Sequence, residues 1–250
     1  MKTALYGIAA ALAAFLAPAA GAAEIKVIAS NAVREPYREL IPLFEKETGH
    51  RVTVDWGGTV DIVKRVGGGE VANVVIIPAA RIDDFVKQGK LAGRIDLAKS
   101  GVGVAARAGA PRPDISSAEA LKMSLLAAKS IILSSGPSSL YLPTLFQKMG
   151  VADALAPKIT QIGPGQGVGA ALARGEGEIG FTQMSELMSV EGIAYLGPLP
   201  AEVQMVTVFS AGIHAAAPVP DAAGALLKFL TSPRAAPVLR RHAWSRDEAG

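Results

Sequence analysis

Cysteine is absent from all 250 residues, which excludes a disulfide framework, a thiolate metal site and a lipid-bearing cysteine at a processing point. Beyond the N-terminal stretch, no segment reaches the ~20 consecutive apolar residues that a membrane-crossing helix needs. Aromatic residues make up only 5%, leaving few platforms for stacked bases. His50, His214 and His242 are the three histidines. They stand far apart, with no Asp or Glu at ligand spacing, so no metal site and no cofactor is expected. Neither a GxxxxGKS/T phosphate loop nor a GxSxG nucleophile elbow occurs, and a Ser-His-Asp hydrolase finds little support.

What is present is an ordinary globular α/β composition, 50% hydrophobic and 19% charged. The net charge of +3 comes from 25 basic and 22 acidic residues scattered among one another. The pI near 9.2 therefore does not point to nucleic acid. Residues 1–23 combine one early lysine, an unbroken apolar run and an A-x-A step at Ala20, Gly21 and Ala22. This predicts a cleaved signal peptide and a soluble periplasmic protein. About 225 residues then remain, enough for one large domain or two small lobes with real cores.

Short apolar runs alternate with helix-period segments. EIKVIAS (Glu24 to Ser30), RVTVDW (Arg51 to Trp56) and NVVII (Asn73 to Ile77) predict strands. Between and after them, Arg34 to Thr48, Thr59 to Val66 and Arg81 to Gln88 predict helices. This is a parallel sheet with helices on its faces, and Pro42 should kink or break the first helix. Gly101 to Pro113 is punctuated by glycine and proline, and predicts a crossover to a second α/β set. Its expected elements are helix Ala118 to Lys129, strand Ile131 to Ser134, a helix ending near Lys148, strand Ile159 to Ile162, helix Val168 to Arg174 and strand Glu178 to Thr182. A long strand over Val203 to Ile213 leads back, and terminal helices lie within Asp221 to Trp244. The expected division is residues 24–102 with 207–250 as one lobe and 103–206 as the other.

In open parallel sheets the ligand sits beyond the carboxyl ends of the strands, so the loops there carry the functional reading. Ser30-Asn31-Ala32, Gly57-Gly58-Thr59, Pro78-Ala79-Ala80 and Ser135-Gly136-Pro137-Ser138-Ser139 are all small, polar and neutral. Singly, each could serve only to cap a helix or make a turn. Together they offer hydroxyls, amides and helix N-termini to an anion. The later GPGQGVG loop carries a GxGxxA spacing at Gly165, Gly167 and Ala170. It is a poor dinucleotide fingerprint, because it falls late, contains a proline and lacks the following acidic residue. Gly167 reads instead as a further anion-facing helix start or a plain turn. Arg34 and Arg81 each begin a helix beside a candidate loop and could clamp a carboxylate.

Several stretches carry a resemblance: IKVIASNAVREPYRELIPLFEKETG, VANVVIIPAARIDDFVKQGKL, GPSSLYLPTLFQKMG, GEIGFTQMSEL and LLKFLTSPRAAPVLRRHAW. In their order and spacing the chain resembles the periplasmic molybdate-binding proteins of ABC importers. The resemblance implies a two-lobed periplasmic-binding-protein-like α/β fold, each lobe a mainly parallel sheet flanked by helices. It also implies an oxyanion held in the cleft by hydroxyls and amides, and a monomer that serves a membrane permease. Carried across, the family's first-loop serine falls at or near Ala32, beside Ser30 and Asn31, and its second-loop serine on Thr59. The small residue after the third strand falls on Pro78, next to Ala79, and the ligand-binding tyrosine on Gln183. The P-A-G-x-Y pattern stands here as Pro137-Ser138-Ser139-Leu140-Tyr141. A serine, an amide hydrogen and a tyrosine are thus replaced, which weakens the case for tetrahedral molybdate and opens the site to a planar or larger anion. The wider family also resembles a periplasmic aconitate isomerase. That chemistry needs a base near a carbon acid, for which Glu35, Glu70 and Glu186 are the nearest candidates.

Overall fold

The computed structural model describes residues 21–163 and 166–245. The expected signal peptide lies, except for its last three positions, outside the described residues, as does Gly165. The chain runs β1 (Glu24–Ser30), α1 (Arg34–Thr48), β2 (Arg51–Gly57), α2 (Thr59–Gly67), β3 (Val74–Pro78), α3 (Ala79–Lys87) and a long β4 (Leu91–Arg107). Then come α4 (Ala118–Ala127), β5 (Ile131–Leu133), α5 (Pro137–Lys148), α6 (Ala152–Leu155), β6 (Ile159–Gln161), α7 (Val168–Ala173) and β7 (Ile179–Gln183). The chain closes with β8 (Ile193–Pro198), β9 (Val206–His214), α8 (Pro220–Leu230) and α9 (Ala236–Arg241).

The strands are ordered β2-β1-β3-β9-β4-β7-β5-β6, with β8 also on β4. Strand β4 is shared by the two halves of this array. From Leu91 to Gly101 it pairs with β9, and from Val102 onward it pairs with β7. In each half the outer strands are parallel and the inner ones, next to β4, are antiparallel. The result is a two-lobed, mixed α/β fold with a sheet and covering helices in each lobe.

Period-two alternation explains the apolar runs, because both faces of each sheet are covered. In the first lobe Ile25, Val27, Val74 and Ile76 face α1, α8 and α9, packing with Leu40, Phe44 and Leu226. Their neighbours Ile28, Val75 and Ile77 face the other way, onto Ile62 of α2 and Ile82 and Phe85 of α3. In the second lobe Leu133 and Phe181 pack with Leu121 of α4 and Phe146 of α5. On the opposite face Ile132 packs with Val168 and Leu172 of α7.

Three sequence expectations are corrected. Helix α1 is continuous through Pro42, so the expected break is absent. Gly101 to Arg107 is strand rather than a punctuated link, and its glycines admit close neighbours. A Cβ on Gly103 would lie 3.1 Å from both the Met184 Cα and the Tyr195 ring, and one on Gly101 would lie 3.0 Å from the Gln204 amide. Strand β9 starts at Val206, after the 3-10 turn Ala201–Val203. Gln204 is committed to β4 instead, accepting from the Val102 N–H at 2.8 Å and donating to its carbonyl at 3.0 Å.

Candidate functional site

The ends of the first-lobe strands meet the ends of the second-lobe strands, and the predicted loops face one another across that seam. The 3-10 turn Asn31–Val33 follows β1, and the turn Met184–Glu186 follows β7. Ser185 Oγ of the second donates to the Ala32 carbonyl of the first at 2.8 Å, and both residues are buried. Gly58, the N-cap of α2, abuts the loop after β5, where a Cβ would come within 2.7 Å of Ser135 Oγ.

Between these contacts lie two pockets. The first, of about 280 Å³, is walled by Asn31, Arg34, Glu35 and Arg38 from one lobe. Gln166, Gly167 and Glu186 are among its residues from the other. The second has a volume of about 560 Å³. It is lined by Thr59, Pro78, Ala79 and Arg81 of the first lobe and by Pro137 and Tyr141 of α5, with β9 as its floor.

The predicted residues divide accordingly. Asn31, Arg34, Glu35, Gly167 and Glu186 share the first pocket; Thr59, Pro78, Ala79 and Arg81 share the second. Ser30, Ala32, Ser138, Ser139 and Gln183 are buried. Several have committed side chains. Ser30 Oγ accepts from the Ala32 N–H at 3.3 Å. Ser138 shares a 2.9 Å hydrogen bond with Ser134, and Ser139 Oγ donates to the Gly136 carbonyl at 2.7 Å. Gln183, with its amide nitrogen turned toward β4, donates to the carbonyls of Ser100 and Gly101, 3.1 Å each. It thereby ties the end of β7 to the point where β4 passes between the lobes. Thr59 differs from these: among the described residues its buried hydroxyl has no partner, and neither has Ser100 Oγ.

The two arginines do not form one clamp. Arg34 donates to Asn31 Oδ1 at 2.7 Å and lies 5.7 Å from the Trp56 ring centroid, yet its buried Nε has no partner among the described residues. Arg81 is half-exposed and paired with Asp84 at 3.0 Å, on the rim of the second pocket. Among the acids, Glu35 lies 3.7 Å from Arg38. Glu70 is held in ion pairs that make it a poor base. Lys26 and Arg65 hold it at 3.0 and 2.7 Å, and hydrogen bonds to them lower its carboxyl to about 2. Glu186 is the opposite case. Burial pushes it up to about 7, against the lowering effects of a Thr182 hydrogen bond, the Arg34 charge and a backbone hydrogen bond at Gln183. Thr182 Oγ1 donates to Glu186 Oε1 at 2.9 Å. A carboxyl in a cleft that is half protonated near neutrality, with a cation opposite, marks a functional-site candidate.

Sequence reasoning missed Arg38, Gln166 and Ser185. Arg38 lies one helical turn beyond Arg34, and Ser185 follows a strand end, so both carried a readable signal.

Over residues 25–245 the chain matches the bacterial extracellular solute-binding proteins. It belongs to that family. Within the curated relatives it is 36% identical over 220 residues to an aconitate isomerase of Pseudomonas sp, covering 85% of this chain and 84% of that protein. Among solved structures, the periplasmic molybdate-binding protein of Azotobacter vinelandii matches with a TM-score of 0.75 at 18% identity, over 90% of this chain and 100% of that one. The sulfate-binding protein SubI of Mycobacterium tuberculosis H37Rv matches with a TM-score of 0.73 at 18% identity, over 91% and 88%. These structural likenesses show that the chain shares the fold of those two proteins. Among the described residues of this family member, no helix is long and apolar enough to cross a membrane.

Proposed function

We propose that this protein is a periplasmic solute-binding protein that captures a small carboxylate anion between its lobes. It would do so as a monomer and deliver the ligand to an ABC permease. Residues 24–102 with 207–250 make one lobe in this reading, and 103–206 the other. The carrying observation is Arg34: a guanidinium in the interlobe pocket with a buried N–H that no group among the described residues accepts. A carboxylate supplies the missing acceptor, and a charge-assisted hydrogen bond of that kind contributes about 1.5–3 kcal/mol. Arg38 adds a second cation to the same wall. A pocket of about 280 Å³ suits a small metabolite, lying just under the ~300–1,000 Å³ of drug-sized sites. A guest that touches both lobes stabilises the closed arrangement over an open one.

A thermal-shift panel followed by titration calorimetry tests this, with trans-aconitate, cis-aconitate, citrate, molybdate, tungstate and sulfate. A carboxylate should raise the melting temperature by several degrees and bind one to one, with Arg34→Ala abolishing the effect. A shift from the tetrahedral oxyanions alone would overturn the carboxylate assignment. No shift from any of them would overturn anion capture itself.

A second reading, an aconitate isomerase-like enzyme, is favoured by two observations. One is the 36% identity to an enzyme of that name over most of both chains. The other is Glu186, whose protonation balance near neutrality suits a general base. Incubation with trans-aconitate and observation of the cis isomer by NMR tests it directly.

A further inference from the structure

We propose that Glu186 is the acid–base residue of the first interlobe pocket, taking a proton from an allylic carbon of a bound unsaturated tricarboxylate and returning it to another, with Arg34 holding a carboxylate beside it. This rests on the isomerase reading and assigns its chemistry to one residue.

Four observations converge on Glu186. It lies in the turn that follows β7, where the strand end delivers it to the seam between lobes. It shares its pocket with Arg34, Glu35 and Arg38 of the facing lobe. Its Oε1 is fixed by Thr182 at 2.9 Å, so the carboxyl is oriented rather than free. The Ser185 hydroxyl next to it is anchored to Ala32, two residues before Arg34, which ties the turn carrying the acid to the segment leading into the cation. Of the other acids considered, Glu70 is locked in ion pairs and Glu35 sits beside Arg38. Burial, which raises Glu186 to about 7, makes it a stronger base than an ordinary carboxylate while leaving it partly ionised at neutral pH.

The step balances without any co-reactant. Aconitate is a propene bearing three carboxylates, with one methylene next to the double bond. The Glu186 carboxylate removes a methylene proton, and the electron pair spreads over the three-carbon unit and its conjugated carboxylate, next to the Arg34 charge. The Glu186 carboxylic acid then protonates the former vinylic CH. One C–H bond breaks, another forms, the double bond moves by one position, and Glu186 regains its starting state. The geometry of the new double bond is set by how the methylene arm was held before its proton left. Arg34 and Arg38 are placed to control that.

The experiment uses trans-aconitate in D2O, followed by proton NMR, with binding measured in parallel by calorimetry. The wild-type protein should form the cis isomer and incorporate deuterium. Glu186→Gln should bind trans-aconitate within about threefold of wild type, while isomerisation and exchange fall at least ~100-fold. Thr182→Val removes the hydrogen bond that favours the ionised carboxylate. It should move the rising limb of the pH–kcat/KM profile, expected near 7, to higher pH while leaving binding intact. Wild-type turnover that survives Glu186→Gln would overturn the assignment of Glu186 and leave the isomerase reading standing. Absence of both turnover and exchange in the wild type would overturn that reading and the assignment with it.

Discussion

Ser185 Oγ stands 2.8 Å from the Ala32 carbonyl, 153 positions away in the chain, and both residues are buried. This bond joins the turn after β7 to the turn after β1, next to the pocket that holds Arg34 and Glu186. Deleting the donor leaves a buried carbonyl unpaired, at a cost of about 1–3 kcal/mol. Ser185→Ala should therefore lower stability by about that amount in urea titrations. It should also weaken carboxylate binding by at least ~5-fold, since about 1 kcal/mol is that factor. Unchanged stability and affinity would show that this bond does not hold the lobes together.

Gly58 has an extended backbone, with φ −73° and ψ 148°, that any residue accepts. Its lack of a side chain matters only across the seam, where a Cβ would lie 2.7 Å from Ser135 Oγ and 3.4 Å from the Ser135 carbonyl. The branched side chain of Gly58→Val should prop the lobes apart. The expected result is a ligand-free melting temperature within a few degrees of wild type and loss of the ligand-induced shift. A retained shift would mean that the contact does not limit closure.

Thr59 and Ser138 are both buried hydroxyls predicted as ligand donors, and they should respond to substitution differently. Thr59 Oγ1 has no partner among the described residues, so Thr59→Val removes an unsatisfied group without changing shape. Stability of the free protein should stay level or rise by up to about 1 kcal/mol, and affinity for an anion held beside Arg34 should be unchanged, since Thr59 lines the second pocket and not the first. Ser138 Oγ is bonded to Ser134 at 2.9 Å, and Ser138→Ala should lose about 1 kcal/mol of stability. Denaturation and calorimetry on both variants separate the two cases, and an equal stability loss in each would contradict the contrast.

The legible parts of this fold are those whose physics is local. EIKVIAS and NVVII announce strands because a strand covered on both faces is apolar at nearly every position, and TVDIVKRV shows the spacing of a one-sided helix. The first half of β4, LAGRIDLAKSG, hides from such a reading. Arg94, Asp96 and Lys99 interrupt its apolar pattern, and bulges opposite β9 break its alternation. Strand β8 is only half-buried along most of its length and so carries little pattern. The loops at the strand ends were readable as a class, because topology places them together whatever their sequence. Which hydroxyls are already committed was not readable: Ser30, Ser138 and Ser139 satisfy bonds within their own turns, and only the folded arrangement distinguishes them from Thr59. That Arg34 and Glu186 share one pocket depends on two turns, joined by a bond between residues 153 positions apart, being brought together, and no local spacing encodes that.

Glu186 also makes a prediction for stability against pH. Its carboxyl is raised from 4.5 to about 7 by burial, with Arg34, the Thr182 hydroxyl and the Gln183 backbone acting in the opposite sense; Glu35 and Arg38 complete the charged groups of the pocket. The folded state then holds this proton more tightly than the unfolded chain. Stability associated with Glu186 is fully present below pH 4.5 and falls as pH rises toward 7, above which it is level. At 1.36 kcal/mol per pKa unit the span is at most on the order of 3 kcal/mol. Glu186→Gln should abolish it. The difference in unfolding free energy between wild type and variant, measured in urea at half-unit steps from pH 4 to 8, should move steadily in favour of the variant between pH 4.5 and 7. Glu70, lowered to about 2 by Arg65 and Lys26, changes stability with the opposite sign and below that window, and it cancels in the difference. A flat difference curve would mean that Glu186 titrates like an exposed carboxylate, which would remove the basis for its proton-transfer role.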